Sequence, residues 1–172
     1  FQLSDKVIEN GKLKSAVINF FAELPSGGEF NYTLYLRKNN ASRQSSPVTL
    51  QKQASTWLIS DGNFGVEIPA GGINPGHTIP APIISILNDH QKIGNNKLHT
   101  GQRTVKEIKT SVLESGDLFI ECGIHYILDN QASYYAKVKV IQGYPFVILD
   151  EQMENISNQD EVFIDCLLYT SP

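Results

Sequence analysis

Cysteine is nearly missing from this chain, with two in 172 residues. Cys166 falls in the last seven residues, which leaves Cys122 alone inside the apolar run from Leu118 to Leu128. A lone buried cysteine behaves as a small hydrophobe. With no CxxC pair and no partner cysteine there is neither a zinc-binding spacing nor a disulfide framework. That lack fits cytoplasm and many exported proteins alike. Basic residues are missing from the whole stretch after Lys139, where Asp150, Glu151, Glu154, Asp160, Glu161 and Asp165 follow. The net charge of -4 provides no basic face for nucleic acid. The acidic end also argues against an anionic membrane surface. No apolar run reaches spanning length, so no membrane insertion is expected in this segment. Missing too are a nucleophile elbow, a P-loop and a dinucleotide fingerprint. The four histidines, His77, His90, His99 and His125, have no ligand spacing. Neither a metal nor another cofactor is expected.

What the chain does have is alternation with a period of two. Ala16, Ile18, Phe20, Ala22 and Leu24 fall on one strand face, and after the Pro25-Ser26-Gly27-Gly28 turn Tyr32, Leu34 and Leu36 repeat it. Leu118, Ile120, Cys122, Ile124, Tyr126 and Leu128 share a face opposite Glu121 and His125. Tyr134, Ala136, Val138 and Val140 alternate with Lys137 and Lys139. Half-buried antiparallel strands have this pattern. Short turn signals at Ser115-Gly116-Asp117, Asp129-Asn130-Gln131 and Gln142-Gly143 separate the runs, so Thr104 to Met153 is expected to form a four-stranded meander. Its last strand, Phe146 to Leu149, is apolar on both faces and is expected to lie centrally. No helical stripe is evident. The sequence predicts an all-β antiparallel β-sandwich, with a larger supersandwich as the alternative.

Two stretches interrupt the pattern. Lys38 to Pro47 is polar and is expected to be a long hairpin loop. Pro69 to Pro82 carries four prolines and three glycines, which bars a central strand. It is expected to cross over between Asn63–Ile68 and Ile83–Leu87, within one sandwich or at a boundary between sub-layers. Gly71-Gly72 lies in this crossover rather than between a strand and a helix, which argues against phosphate cradling.

Candidate chemistry is thin. Trp57, Tyr134, Tyr135 and Tyr144 could stack on a sugar ring as a flat platform, although aromatics in β domains commonly serve as core or cross-strand pairs. His77, His90 and His99 lie in loops that could contribute to a cleft. His125 and Glu121 share an outward strand face, which also fits a merely solvated surface. Asp150 and Glu151 are adjacent and point apart, unlike paired catalytic carboxylates. The acidic stretch from Asp150 to Asp165 lacks a calcium-loop spacing. Sequons at Asn31, Asn40 and Asn155 are of the kind Asn- and Ser-rich sequence produces by chance. No catalytic residue can be assigned.

The ends carry expectations of their own. Cys166-Leu167-Leu168-Tyr169-Thr170-Ser171-Pro172 matches one reading frame of a transposase mosaic-end sequencing adapter. Residues 166–172 are therefore expected to be an adapter-derived tail on a β-sandwich domain of residues 1–165. Phe1 in place of Met suggests a domain truncated at both ends, a metagenomic fragment of a longer chain.

Several runs carry a resemblance. They are Ala22-Glu23-Leu24-Pro25-Ser26-Gly27-Gly28, the stretch Asp61 to Pro69, Pro80-Ala81-Pro82-Ile83, Ile93-Gly94, Gly116-Asp117-Leu118-Phe119, Tyr134 to Val140, and Asp150-Glu151. Together they resemble the N-terminal β-rich region of large bacterial polysaccharide-degrading enzymes, nearest to rhamnogalacturonan exolyase-like proteins. The resemblance implies a secreted, periplasmic or cell-surface protein in which this region precedes an (α/α) toroid holding most catalytic groups. No catalytic motif of that family matches a position here, so none is transferred. The expected function is a non-catalytic scaffold in a carbohydrate-active, polysaccharide lyase-like enzyme, partnered by downstream domains of the same chain and by polysaccharide. The alternative is a carbohydrate-binding or adhesion module of a cell-surface protein.

Overall fold

The computed structural model describes residues 1–22, 26–29, 31–33, 47–72, 75–89, 91–156 and 162–165. The expectations for Leu24, Leu34, Leu36, residues 38–46, His90, Asn40 and the tail 166–172 lie outside the described residues. The strands in chain order are β1 (Gln2–Glu9), β2 (Lys12–Asn19), β3 (Thr49–Lys52), β4 (Thr56–Ser60) and β5 (Phe64–Pro69). There follow β6 (Thr78–Pro80), β7 (Ser85–Asn88), β8 (Gln91–Ile93), β9 (Lys97–His99) and β10 (Val105–Ser115). The last are β11 (Phe119–Leu128), β12 (Ser133–Ile141), β13 (Val147–Glu154) and β14 (Phe163–Asp165), and among the described residues the helical content is one 3-10 turn at Asp129–Gln131. The protein is all-β, and every pairing between named strands is antiparallel.

A five-stranded sheet in the order β3-β4-β5-β7-β8 and a four-stranded meander β10-β11-β12-β13 contribute to one apolar cluster. A three-stranded sheet, β14-β9-β6, adds Ile79 and Leu98 to it, and the β1-β2 hairpin stands apart as a two-stranded sheet. The arrangement is sandwich-like. The meander follows the alternation in the sequence. On β11 and β12 the even-numbered positions from Ile120 to Leu128 and from Tyr134 to Val140 are buried, while Glu121, His125, Tyr135, Lys137 and Lys139 face outward, half-buried. Tyr126 pairs with Tyr134, Ile124 with Ala136 and Cys122 with Val138, so parity is kept across the register. Burial pushes the Cys122 thiol up to about 11, with the Lys52 charge opposing and Glu121 adding to the rise, so the group sits there as an apolar filler.

Two expectations are corrected. The strand containing Val147 to Leu149 is not central; β13 is the edge of the meander, and Ile148 stays exposed. An apolar strand on both faces is also what an edge awaiting cover looks like. The run from Ala16 likewise fails to bury one face, because β2 ends at Asn19 and Ile18 and Phe20 remain exposed.

The proline-rich crossover holds β6 at a sheet edge, where proline is tolerated. It also runs along the free edge of β10. The Gly72 N–H donates to the Ile108 carbonyl (2.7 Å) and the Ile108 N–H returns to Gly72 (2.9 Å), with a second bridge between Gly76 and Val105. Gly71 has φ +94, and a Cβ there would stand 3.0 Å from the Ile108 carbonyl oxygen. Gly71 allows the close backbone approach, and Gly72 adopts φ +130, a conformation side-chain-bearing residues rarely take.

Candidate functional site

A group of exposed aromatics gathers where the hairpin meets the meander. Gln2 is the joint. Its Nε2 donates to the Phe119 carbonyl (3.1 Å), and its Oε1 accepts from the N–H groups of Leu118 and Phe119 (3.0 Å each). The side chain lies where any Cβ on Gly116 would be, which explains the glycine in this turn. Asn19 closes the hairpin base by donating to the Gln2 carbonyl (3.3 Å) and to Ser4 Oγ (3.0 Å).

Beyond this joint, residues 18–21 run past Leu118, Phe119, Lys139 and Ile141 and leave an open cleft of about 330 Å³. Its rim is aromatic. Phe20 packs against Tyr32 with ring centroids 5.0 Å apart, and Phe21 against Tyr144 at 5.7 Å. Tyr144 in turn meets Phe146 at 5.4 Å, and all five rings remain at least partly open to solvent. Lys139 brings charge to the floor: Nζ lies 3.9 Å from the Phe119 ring centroid and 3.6 Å from Glu121 Oε2. Asp61 holds the turn bearing Tyr144, since its Oδ2 accepts from the Gly143 N–H (2.8 Å) while Oδ1 accepts from Asn63 (3.0 Å) and Phe64 (2.9 Å). Burial alone would raise the Asp61 pKa, but the donors from Phe64, Gly143 and Asn63 prevail and hold it below the ordinary 3.8.

The four aromatics expected as one platform are dispersed. Tyr134 is 0% exposed and belongs to the core, its ring 5.4 Å from Tyr126 and its hydroxyl donating to Glu151. Burial, followed by the hydrogen bond and negative charge of Glu151, drives its pKa far above the usual phenol range. Such a ring is out of reach of a polysaccharide. Trp57 is half-buried against the core with Lys52 Nζ 4.3 Å above it. Tyr135 lies on the outward face of the meander, over Gly123 and edge-on to His125 at 6.0 Å. Tyr144 alone sits at the cleft. The signals for its neighbours were the doublet Phe20-Phe21, which cannot place both rings on one strand face, and Phe146 beside Gly143 and Pro145.

Among the described residues, His77, His99 and His125 do not converge on this cleft. His77 Nδ1 lies 2.9 Å from the Arg103 carbonyl oxygen. His99 Nδ1 lies 3.2 Å from Thr78 Oγ1, its Nε2 is 3.8 Å from Asp165 Oδ2, and its ring stacks on Phe163 at 4.8 Å. Glu121 is engaged with Lys139, and His125 with the Tyr135 ring. Asp150 pairs with Lys137 (3.4 Å) while Glu151 accepts from Tyr134, so the two carboxylates do point apart. Among the described residues no three His, Cys, Asp or Glu side chains gather as metal ligands, and no helix is long and apolar enough to cross a membrane. A second cleft of about 290 Å³ is lined by Leu98, Tyr134, Glu151, Met153 and residues 162–164, and the side chains of Tyr134 and Glu151 there bond each other. Set against protein-family models, curated proteins and solved structures, the chain matches none.

Proposed function

We propose that this chain is a non-catalytic β-sandwich module of an exported, polysaccharide lyase-like carbohydrate-active protein, presenting the aromatic-rimmed cleft to a polysaccharide. The observation that supports it most is the string of exposed rings Phe21, Tyr144 and Phe146 beside the cleft lined by Asn19 and Lys139. The apolar faces of sugar rings stack on such aromatics, while an amide and an ammonium can bond the hydroxyls. Contiguous exposed aromatics are costly in water and mark binding surfaces. The scatter of His77, His99, His125 and the carboxylates supports a binding role over catalysis, which needs converging groups of matched pKa. The resemblance supplies the polysaccharide class.

Affinity electrophoresis of the whole chain through gels containing pectic, other acidic and neutral polysaccharides tests this reading. Retardation by at least one of them is expected, and Tyr144→Ala or Phe21→Ala should lower it about tenfold, in line with loss of one hot-spot ring. Incubation with the same panel should yield no unsaturated uronate absorbance. Free migration in every gel would overturn the binding role, and turnover would overturn the non-catalytic one.

A second reading, an adhesion module of a cell-surface protein, draws support from the hairpin. Val7, Ile8, Leu13, Val17 and Ile18 expose apolar side chains on both of its faces, as a surface that docks on protein would.

A further inference from the structure

Of the strand edges without a neighbour among the described residues, two match. β1 is the hairpin strand tied to the body, through Gln2 and through the Asp5 N–H donating to Glu114 (3.1 Å), which leaves β2 outermost. In the four-stranded sheet β13 closes the meander with its far edge unpaired among the described residues. An unpaired edge presents a row of N–H and C=O groups ready to accept another strand. Both strands are eight residues long.

We infer that the edge of β2 in one copy of this chain adds antiparallel to the edge of β13 in a second copy, so that copies associate head to tail. With Lys12 opposite Glu154 the register runs through the full length of both strands. On one face Leu13 then meets Met153 and Val17 meets Leu149. On the other Lys14 falls opposite Gln152, diagonally flanked by Asp150 and Glu154, and Ile18 meets Ile148. Opposite charges and apolar pairs across strands each stabilise a sheet. A slip by one residue would oppose Lys14 to Met153 and Leu13 to Glu154, so the pattern selects the register.

Charge also selects the partner. Paired antiparallel with itself along its full length, β13 would set Asp150 against Glu151, and β2 would set Lys14 against Val17 and Lys12 against Asn19, so neither symmetric pairing gains a cross-strand ion pair. Only the mixed pairing brings opposite charges together, Lys12 against Glu154. The Lys14–Glu9 pair (3.0 Å) is an exposed surface contact and can exchange at little cost. The arriving Leu13 would also reach the apolar wall of the second cleft, where Met153 lies with Val162 and Phe163. A β2-to-β13 contact is heterologous, so it builds chains or rings rather than closing as a two-fold dimer.

Sedimentation velocity of the whole chain, under reducing conditions and over rising concentration, tests the pairing. The wild-type protein should show a sedimentation coefficient that climbs with concentration beyond a dimer. Lys12→Glu/Lys14→Glu and Gln152→Lys/Glu154→Lys should each sediment as monomers, and an equimolar mixture of the two variants should regain association. All four positions are exposed, so circular dichroism should be unchanged; if either variant alters it, Lys14→Gln and Glu154→Gln take its place and should each weaken association. A wild type that stays monomeric or stops at a dimer at every concentration would overturn the inference. So would association that survives both variants, or a mixture that stays monomeric.

Discussion

Asp61 sits where two turns meet, and one carboxylate there serves both sheets. Its Oδ1 organises the β4–β5 turn while Oδ2 takes the Gly143 N–H from the β12–β13 turn. Because its folded pKa is depressed, its contribution to stability is complete above the unfolded pKa of about 4 and is lost as pH falls through the lower folded value. Thermal melts between neutral and strongly acidic pH should therefore show an acid loss of stability that Asp61→Asn makes shallower. At neutral pH the variant should melt lower, since an amide nitrogen cannot accept from Gly143. A variant with the wild-type acid profile would show that the carboxylate is not the lock. At the same scale, Tyr134 and Tyr135 show what adjacency excludes: neighbours on a strand take opposite faces, so one ring went to the core and the other outward. Parity in the sequence already forbade a platform using both.

β11 and β13 test whether an element's place can be told from its composition. Ile120 is enclosed on the inner face of β11, and Ile120→Asp should abolish folding because an unpaired carboxylate cannot be solvated there. Ile148 lies on an exposed edge, and Ile148→Thr should change stability by less than about 0.5 kcal/mol. Urea denaturation of dilute protein checks both, and a large loss at Ile148 would place β13 in the interior after all. The meander was legible because clean alternation and short Gly- or Asn-containing turns encode half-buried strands and their succession. Central or edge position was not, because apolar residues on both faces of Phe146–Leu149 fit a covered strand and an edge equally. The crossover was legible as a barrier to a central strand. Its role of covering the edge of β10 through Gly71-Gly72 depends on a contact more than thirty residues away in sequence, which no local pattern records.

The molecule as a whole joins a well-packed sandwich to a hairpin held mainly by polar contacts. The sheets share one apolar cluster, whereas β1-β2 leaves apolar residues on both faces in solvent, is closed by Asn19 across its own two strands, and is tied to the meander through Gln2 and Asp5. An isolated two-stranded hairpin is marginal in water, so its amides should open far more readily than those of β11 and β12. The aromatic cleft lies between these unequal parts, because residues 18–21 form one wall and the meander the other. The joint thus decides both hairpin order and cleft shape. Gln2→Ala removes three hydrogen bonds with Leu118 and Phe119 at once, leaving two N–H groups and a carbonyl without these partners. Hydrogen exchange of the variant should accelerate across β1 and β2 while β11 and β12 keep their protection. Polysaccharide retardation should weaken in parallel, although no rim aromatic has been touched. Unchanged exchange in the hairpin would show that its apolar contacts, not the Gln2 joint, hold it in place.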